Sequence, residues 1–111
     1  MEDIKFTKQI KADWLKALRS GDFKRNTAQL RSDDEKKHCC LGVLCEIHPQ
    51  LSIDPNNSNA VANQKQVQGY SVFNQMFGRE NTTELWTTND DSLIDDYSEV
   101  IPLIEKLPTV D

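Results

Sequence analysis

A chain of 111 residues, 37% apolar and 28% charged, can bury one hydrophobic core and not two, so residues 1–111 are read as a single domain. Its formal charge of −5 hides an asymmetry: residues 1–31 carry eight Lys/Arg against four Asp/Glu, whereas residues 81–111 carry one against eight. No apolar run approaches a membrane span and residues 1–5 lack the order of a secretory leader; the expectation is a cytoplasmic protein that meets no membrane and does not bind DNA directly.

In chain order, Ile10, Trp14, Ala17 and Leu18 recur at helical spacing, which predicts a helix over 7–20, capped by Thr7 and ended by Gly21. Trp14 lies on that apolar stripe and is expected to anchor the core. Residues 21–31 read as a turn and a short strand, and a polar turn then lets 28–31 pair with 37–40 as a β-hairpin. Residues 40–48 form a helix apolar nearly all round, hence buried, and Pro49 stops it. Gly42 inside it costs roughly 1 kcal/mol of helix propensity. It signals close approach of another element, for which the Trp14 helix is the expectation. Cys39, Cys40 and Cys45, odd in number and badly spaced for disulfides, read as small buried hydrophobes.

Residues 51–69 are rich in Asn, Gln and Ser and read as a long polar loop, with a weak hairpin around 60–62 and 67–70. Val72, Phe73, Met76 and Phe77 predict a short helix closed by Gly78. Residues 81–91 read as irregular, anchored by Leu85 and Trp86. Tyr97, Val100, Ile101, Ile104 and Leu107 predict an amphipathic helix over 95–107, with Pro102 in its first turn or at a kink. Asp90, Asp91, Asp95, Asp96 and Glu99 suit the start of that helix. The expected architecture is α+β, about four helices around a buried central helix with a short β-hairpin.

Chemistry is sparse. His38, Cys39, Cys40, Cys45 and His48 have ligand chemistry but not the spacing of a zinc site. Cys39 beside His38 is the one nucleophile–base pair, and adjacent strand residues face opposite ways. Carboxylate pairs among residues 90–96 arise by chance in so acidic a stretch. No catalytic residue, metal or cofactor is assigned. Lys24, Arg25 and Arg31 beside Phe23 have the means to grip phosphate and stack a base; the structural alternative is a solvated turn tethered to the acidic C-terminal third. The acidic residues 90–99 could instead imitate a nucleic-acid backbone.

The order Trp14-Leu15-Lys16-Ala17-Leu18-Arg19-Ser20-Gly21, Leu30-Arg31 and Cys39-Cys40-Leu41-Gly42-Val43-Leu44-Cys45 resembles a family of small, mostly uncharacterised proteins of tailed bacteriophages and prophages. Members of that family end with an Asn-Asp pair ahead of a short amphipathic helix, to which Asn89-Asp90 and residues 97–107 are similar. The family's glycines after Phe23 are replaced here by Lys24-Arg25-Asn26-Thr27-Ala28, and Pro102 is foreign to its last helix. The resemblance implies a phage protein acting in the host cytoplasm and carries over no catalytic residue. Phe23, Lys24, Arg25, Arg31, Trp86, Asn89 and Asp90 form the candidate ligand site. The expected function is a non-enzymatic counter-defence protein that sequesters a small nucleotide immune signal. One alternative is an acidic inhibitor of a host defence or nucleic-acid-binding protein. The other is a small nucleotide hydrolase using Asp90 or the Cys39/His38 pair. Homo-oligomerisation is left open.

Overall fold

Trp14 and the first turn of the cysteine-rich helix meet at the centre of the molecule. The computed structural model describes residues 4–27, 29–32, 36–54, 60–62, 65–66, 70–92 and 96–111. The described elements are α1 (Lys8–Arg19), β1 (Lys24–Arg25), β2 (Lys37–His38), α2 (Cys40–Ile47), β3 (Leu51–Ile53), β4 (Ala60–Ala62), β5 (Lys65–Gln66), α3 (Ser71–Phe77), α4 (Arg79–Asp91) and α5 (Ile101–Glu105). The fold is α+β, with helices packed around α2 and two small sheets at its flanks.

α1 forms as its sequence dictates. The Thr7 hydroxyl accepts from the Ile10 N–H at 3.2 Å, and Gly21 takes φ +82° just past the helix end. Trp14 is fully buried, edge-on to Phe6 and stacked on Phe77, and its indole N–H donates to the Cys40 carbonyl at 2.8 Å. That bond satisfies the polar edge of an otherwise apolar anchor. Every residue from Cys40 to Cys45 is buried. α2 is capped by Cys39, whose Sγ accepts from the Gly42 N–H.

The close approach at Gly42 comes from a different element than expected. A Cβ there would lie 1.8 Å from the Leu30 carbonyl oxygen, so at this position it is the loop at Leu30, and not α1, that approaches the helix. Leu30 also accepts from the Cys39 N–H at 3.1 Å, while Arg31 bridges His38 antiparallel. This is the expected hairpin, shortened. The other edge of β2 takes β1 in parallel, with Lys24 beside Lys37 and Arg25 beside His38.

The described residues of the polar stretch after Pro49 include three short strands. β3, β4 and β5 make an antiparallel sheet in which Leu51 pairs with Ala62, Ile53 with Ala60, and Val61 with Gln66. The alternation buries Leu51 and Ile53 on β3, which packs on α2, and Ala60 and Ala62 on β4, and leaves Ser52 outside. The 67–69 half of the anticipated second hairpin strand lies outside the described residues. Residues 81–91 are helical and not irregular: Thr82, Leu85 and Asn89, at i, i+3 and i+7, bury one face of α4. The last helix is shorter than its apolar spacing predicts. Pro102 occupies the first turn of α5, where its missing N–H costs nothing, and residues 96–100 form turns ahead of it.

The basic first third docks on the acidic last third largely through backbone carbonyls. Lys11 Nζ donates to the Glu105 and Leu107 carbonyls at the end of α5, and Arg19 pairs with Glu105 at 3.4 Å. No described helix is long and apolar enough to cross a membrane.

Candidate functional site

Asn89, Arg25 and Asp90 converge at the start of α2. Asn89 is fully buried; its Oδ1 accepts from the Cys40 N–H at 3.1 Å, and its Nδ2 donates to the Asn26 carbonyl at 2.8 Å and to Asp90 Oδ1 at 3.1 Å. One amide thus caps a helix and holds the β1 loop against it. The Arg25 guanidinium donates to the Asn89 and Ser92 carbonyls at 2.6 and 3.1 Å, closing the C-terminus of α4. Trp86, half-buried and nearly one turn before Asn89, stacks parallel to Tyr70 with ring centroids 5.8 Å apart. Burial pushes the Tyr70 phenol up to about 12.

Arg31 belongs to a separate cluster. Its guanidinium lies 3.4 Å from Glu46 Oε1, and His38 Nε2 lies 3.7 Å from Glu46 Oε2. His38 is buried, edge-on to Phe23, and neither ring nitrogen has a hydrogen-bond partner among the described residues. Burial lowers its pKa, against the pull of Glu46. His48 is lowered by burial too; as a neutral ring it donates from Nε2 to the Lys5 carbonyl and accepts from the Gln50 N–H at Nδ1. Both imidazoles therefore bind a proton more readily in the unfolded chain. Stability is fully present above the ordinary imidazole pKa of about 6.5 and falls as pH drops below it. The urea midpoint should be lower at about pH 5.5 than at about pH 7.5 with the slope unchanged; equal midpoints would contradict the burial of both rings.

The thiols carry no exposed chemistry. Cys39, Cys40 and Cys45 are free and buried; burial pushes Cys39 up to about 12 and raises the other two as well. A thiol so raised supplies almost no thiolate at neutral pH. Among the described residues no three His, Cys, Asp or Glu side chains converge as a metal site would require.

Phe23 faces a different feature, an open cleft of about 340 Å³ lined by Leu18, Arg19, Phe23, Asp96, Tyr97 and Ile101 among others. Leu18 and Tyr97 are buried, Phe23 and Ile101 half-buried, and Arg19 and Asp96 stand exposed at the rim. The Tyr97 hydroxyl donates to the His38 carbonyl, which fixes the ring against β2. Lys24 and Lys37 are neighbours across the parallel β1–β2 pair, both exposed. Of the seven sequence-predicted site residues, Arg25, Asn89 and Asp90 are brought together and Trp86 sits on the same helix. Phe23 lines the cleft, Lys24 lies next to it in the chain, and Arg31 pairs away on α2. Arg19, Asp96 and Tyr97 were missed. Arg19 reads as a charge off the apolar stripe of its helix, Asp96 as part of the acidic start of the last helix, and Tyr97 only as part of an apolar helix face.

A family model described as Domain of unknown function (DUF8296) matches residues 6–107. No curated protein and no solved structure matches the chain. The chain belongs to that domain family.

Proposed function

We propose that this member of the DUF8296 family is a phage-encoded, non-catalytic protein that sequesters a small nucleotide signal in the host cytoplasm. The phage assignment rests on the Trp14–Gly21 and Cys39–Cys45 strings. The nucleotide assignment rests on one observation above all: an open cleft with Phe23 in its lining and Arg19 on its rim. An aromatic face and a guanidinium are the two groups that hold a base and a phosphate. Lys24 beside Lys37 adds like charges across a two-strand ladder, an arrangement that an anion nearby relieves. Burial of Cys39 with its raised pKa removes one of the two groups on which a hydrolase reading would rely.

The test is titration calorimetry against a panel of linear and cyclic nucleotides, followed by heating and mass spectrometry of what is released. The expected result is saturable binding, intact ligand on release, and affinity reduced about tenfold or more by Phe23→Ala. Turnover of the ligand would establish the hydrolase reading in its place. The exposure of Asp91, Asp96 and Glu99 favours the second reading, an acidic surface offered to a basic host protein. Salt-sensitive capture of one such protein, with no nucleotide bound, would replace the sponge by that inhibitor.

A further inference from the structure

The rim of the Phe23 cleft carries opposite charges, and that constrains what lies across it. Among the described residues Arg19 pairs with Glu105, at 3.4 Å, with both side chains 52% exposed. A pair so exposed is weak and yields readily to a phosphate, which offers two oxygens to the guanidinium fork. Asp96 is built differently. Its Oδ1 accepts from both the Ser98 N–H at 2.9 Å and the Ser98 hydroxyl at 2.6 Å, which uses that oxygen's acceptor capacity. These bonds hold the carboxyl below its usual pKa, so it remains an anion. Oδ2 accepts no hydrogen bond among the described residues and keeps its lone pairs for a donor.

Between the two charges the lining is apolar: Leu18, Phe23, Tyr97 and Ile101. Phe23 is pinned edge-on by the His38 ring, with centroids 5.1 Å apart, so its position is set before any ligand arrives. A flat base suits that lining, and the polar remainder of the ligand must run along the rim. Asp96 repels phosphate and tolerates only a group that donates. The volume of about 340 Å³ is at the small end of ligand pockets and suits one nucleotide unit.

Resting on the nucleotide-binding reading above, we infer that the cleft takes a ribonucleotide unit, its base against Phe23 and Tyr97, its phosphate on Arg19 and its ribose 2′-hydroxyl donating to Asp96 Oδ2. The ligand class is thereby narrowed to ribonucleotides, and Asp96 becomes a specificity-determining residue.

The experiment titrates each ribonucleoside 5′-monophosphate and its 2′-deoxy counterpart into the full chain, with Asp96→Asn and Arg19→Gln alongside. The wild type should bind the ribose form about tenfold more tightly, as expected for one hydrogen bond to a charged acceptor. Asp96→Asn keeps an acceptor for Ser98, so the turn survives; it should narrow the ribose preference, chiefly by tightening the deoxy form. Arg19→Gln should weaken both sugars alike. Equal affinity for the two sugars, or an unchanged preference in Asp96→Asn, overturns this inference and leaves the nucleotide-binding function standing. Failure of every nucleotide to bind overturns both. Circular dichroism of each variant reports its folding, and a folded Asp96→Asn protein makes its titration decisive.

Discussion

Gly42→Ala should destabilise this protein strongly, by about 2 kcal/mol or more net. The new methyl would lie 1.8 Å from the Leu30 carbonyl oxygen and 2.7 Å from its carbon, and both are backbone atoms with no rotamer to escape into. Moving the loop at Leu30 away breaks the Leu30–Cys39 hydrogen bond at 3.1 Å and lifts the Arg31–His38 bridge with it. Overpacking of this kind costs about 3 kcal/mol or more, and the gain of about 1 kcal/mol in helix propensity does not offset it. Against a total stability of about 5–15 kcal/mol such a loss is large. The urea midpoint measures it. A contrast is Gly21→Ala, where nothing lies within 4 Å of the added carbon and only the φ of +82° objects; that change should cost about 1 kcal/mol. Equal effects at the two glycines would mean that the loop does not rest on α2.

Asn89→Ala should cost nearly as much, for a polar reason. The substitution strips the acceptor from the Cys40 N–H and the donor from the Asn26 carbonyl. The Cys40 N–H is buried and, left unpaired, costs about 1–3 kcal/mol, and the half-buried Asn26 carbonyl adds less, so a loss of about 2–4 kcal/mol is expected. Asn89→Asp separates the two halves of the amide's role. The aspartate still accepts from Cys40, but its second oxygen faces the Asn26 carbonyl and Asp90 Oδ1, where only a donor fits. Protonation restores a donor, so the deficit of this variant relative to wild type should shrink on acidification. A deficit independent of pH would count against that geometry.

The elements that could be read from sequence are those whose pattern is local. α1 carries its own stripe, cap and stop, and α2 is apolar on almost every side, so both were placed within a residue or two. The α4 stretch reads as irregular from sequence, and Asn81, Thr82, Thr83, Thr87 and Thr88 are poor helix formers. Its helicity comes from tertiary contact, through Leu85 and through Asn89, which α2 needs as a cap. The parallel pairing of β1 with β2 joins two-residue strands separated by residues 26–36, and nothing in so short a run specifies a partner. At the C-terminal end the apolar spacing of Tyr97 and Val100 imitates a longer helix, while Pro102 sets its actual start. The candidate site divides in the same way. Phe23 stood out as an aromatic beside cations. Its companions Arg19, Asp96 and Tyr97 come from the two ends of the chain, and only the docking of those ends makes a cleft of them.

Counting reactive thiols tests the central claim, that the cysteine-rich helix is core and that function resides on the exterior. Cys39, Cys40 and Cys45 are 5%, 0% and 1% exposed. An aromatic disulfide reagent added to the folded protein at neutral pH should therefore find no reactive thiol, and all three should react once guanidinium unfolds the chain. Prompt reaction of even one thiol in protein that retains its native circular dichroism would contradict the account, because a reactive thiolate would then sit where the structure places only packing.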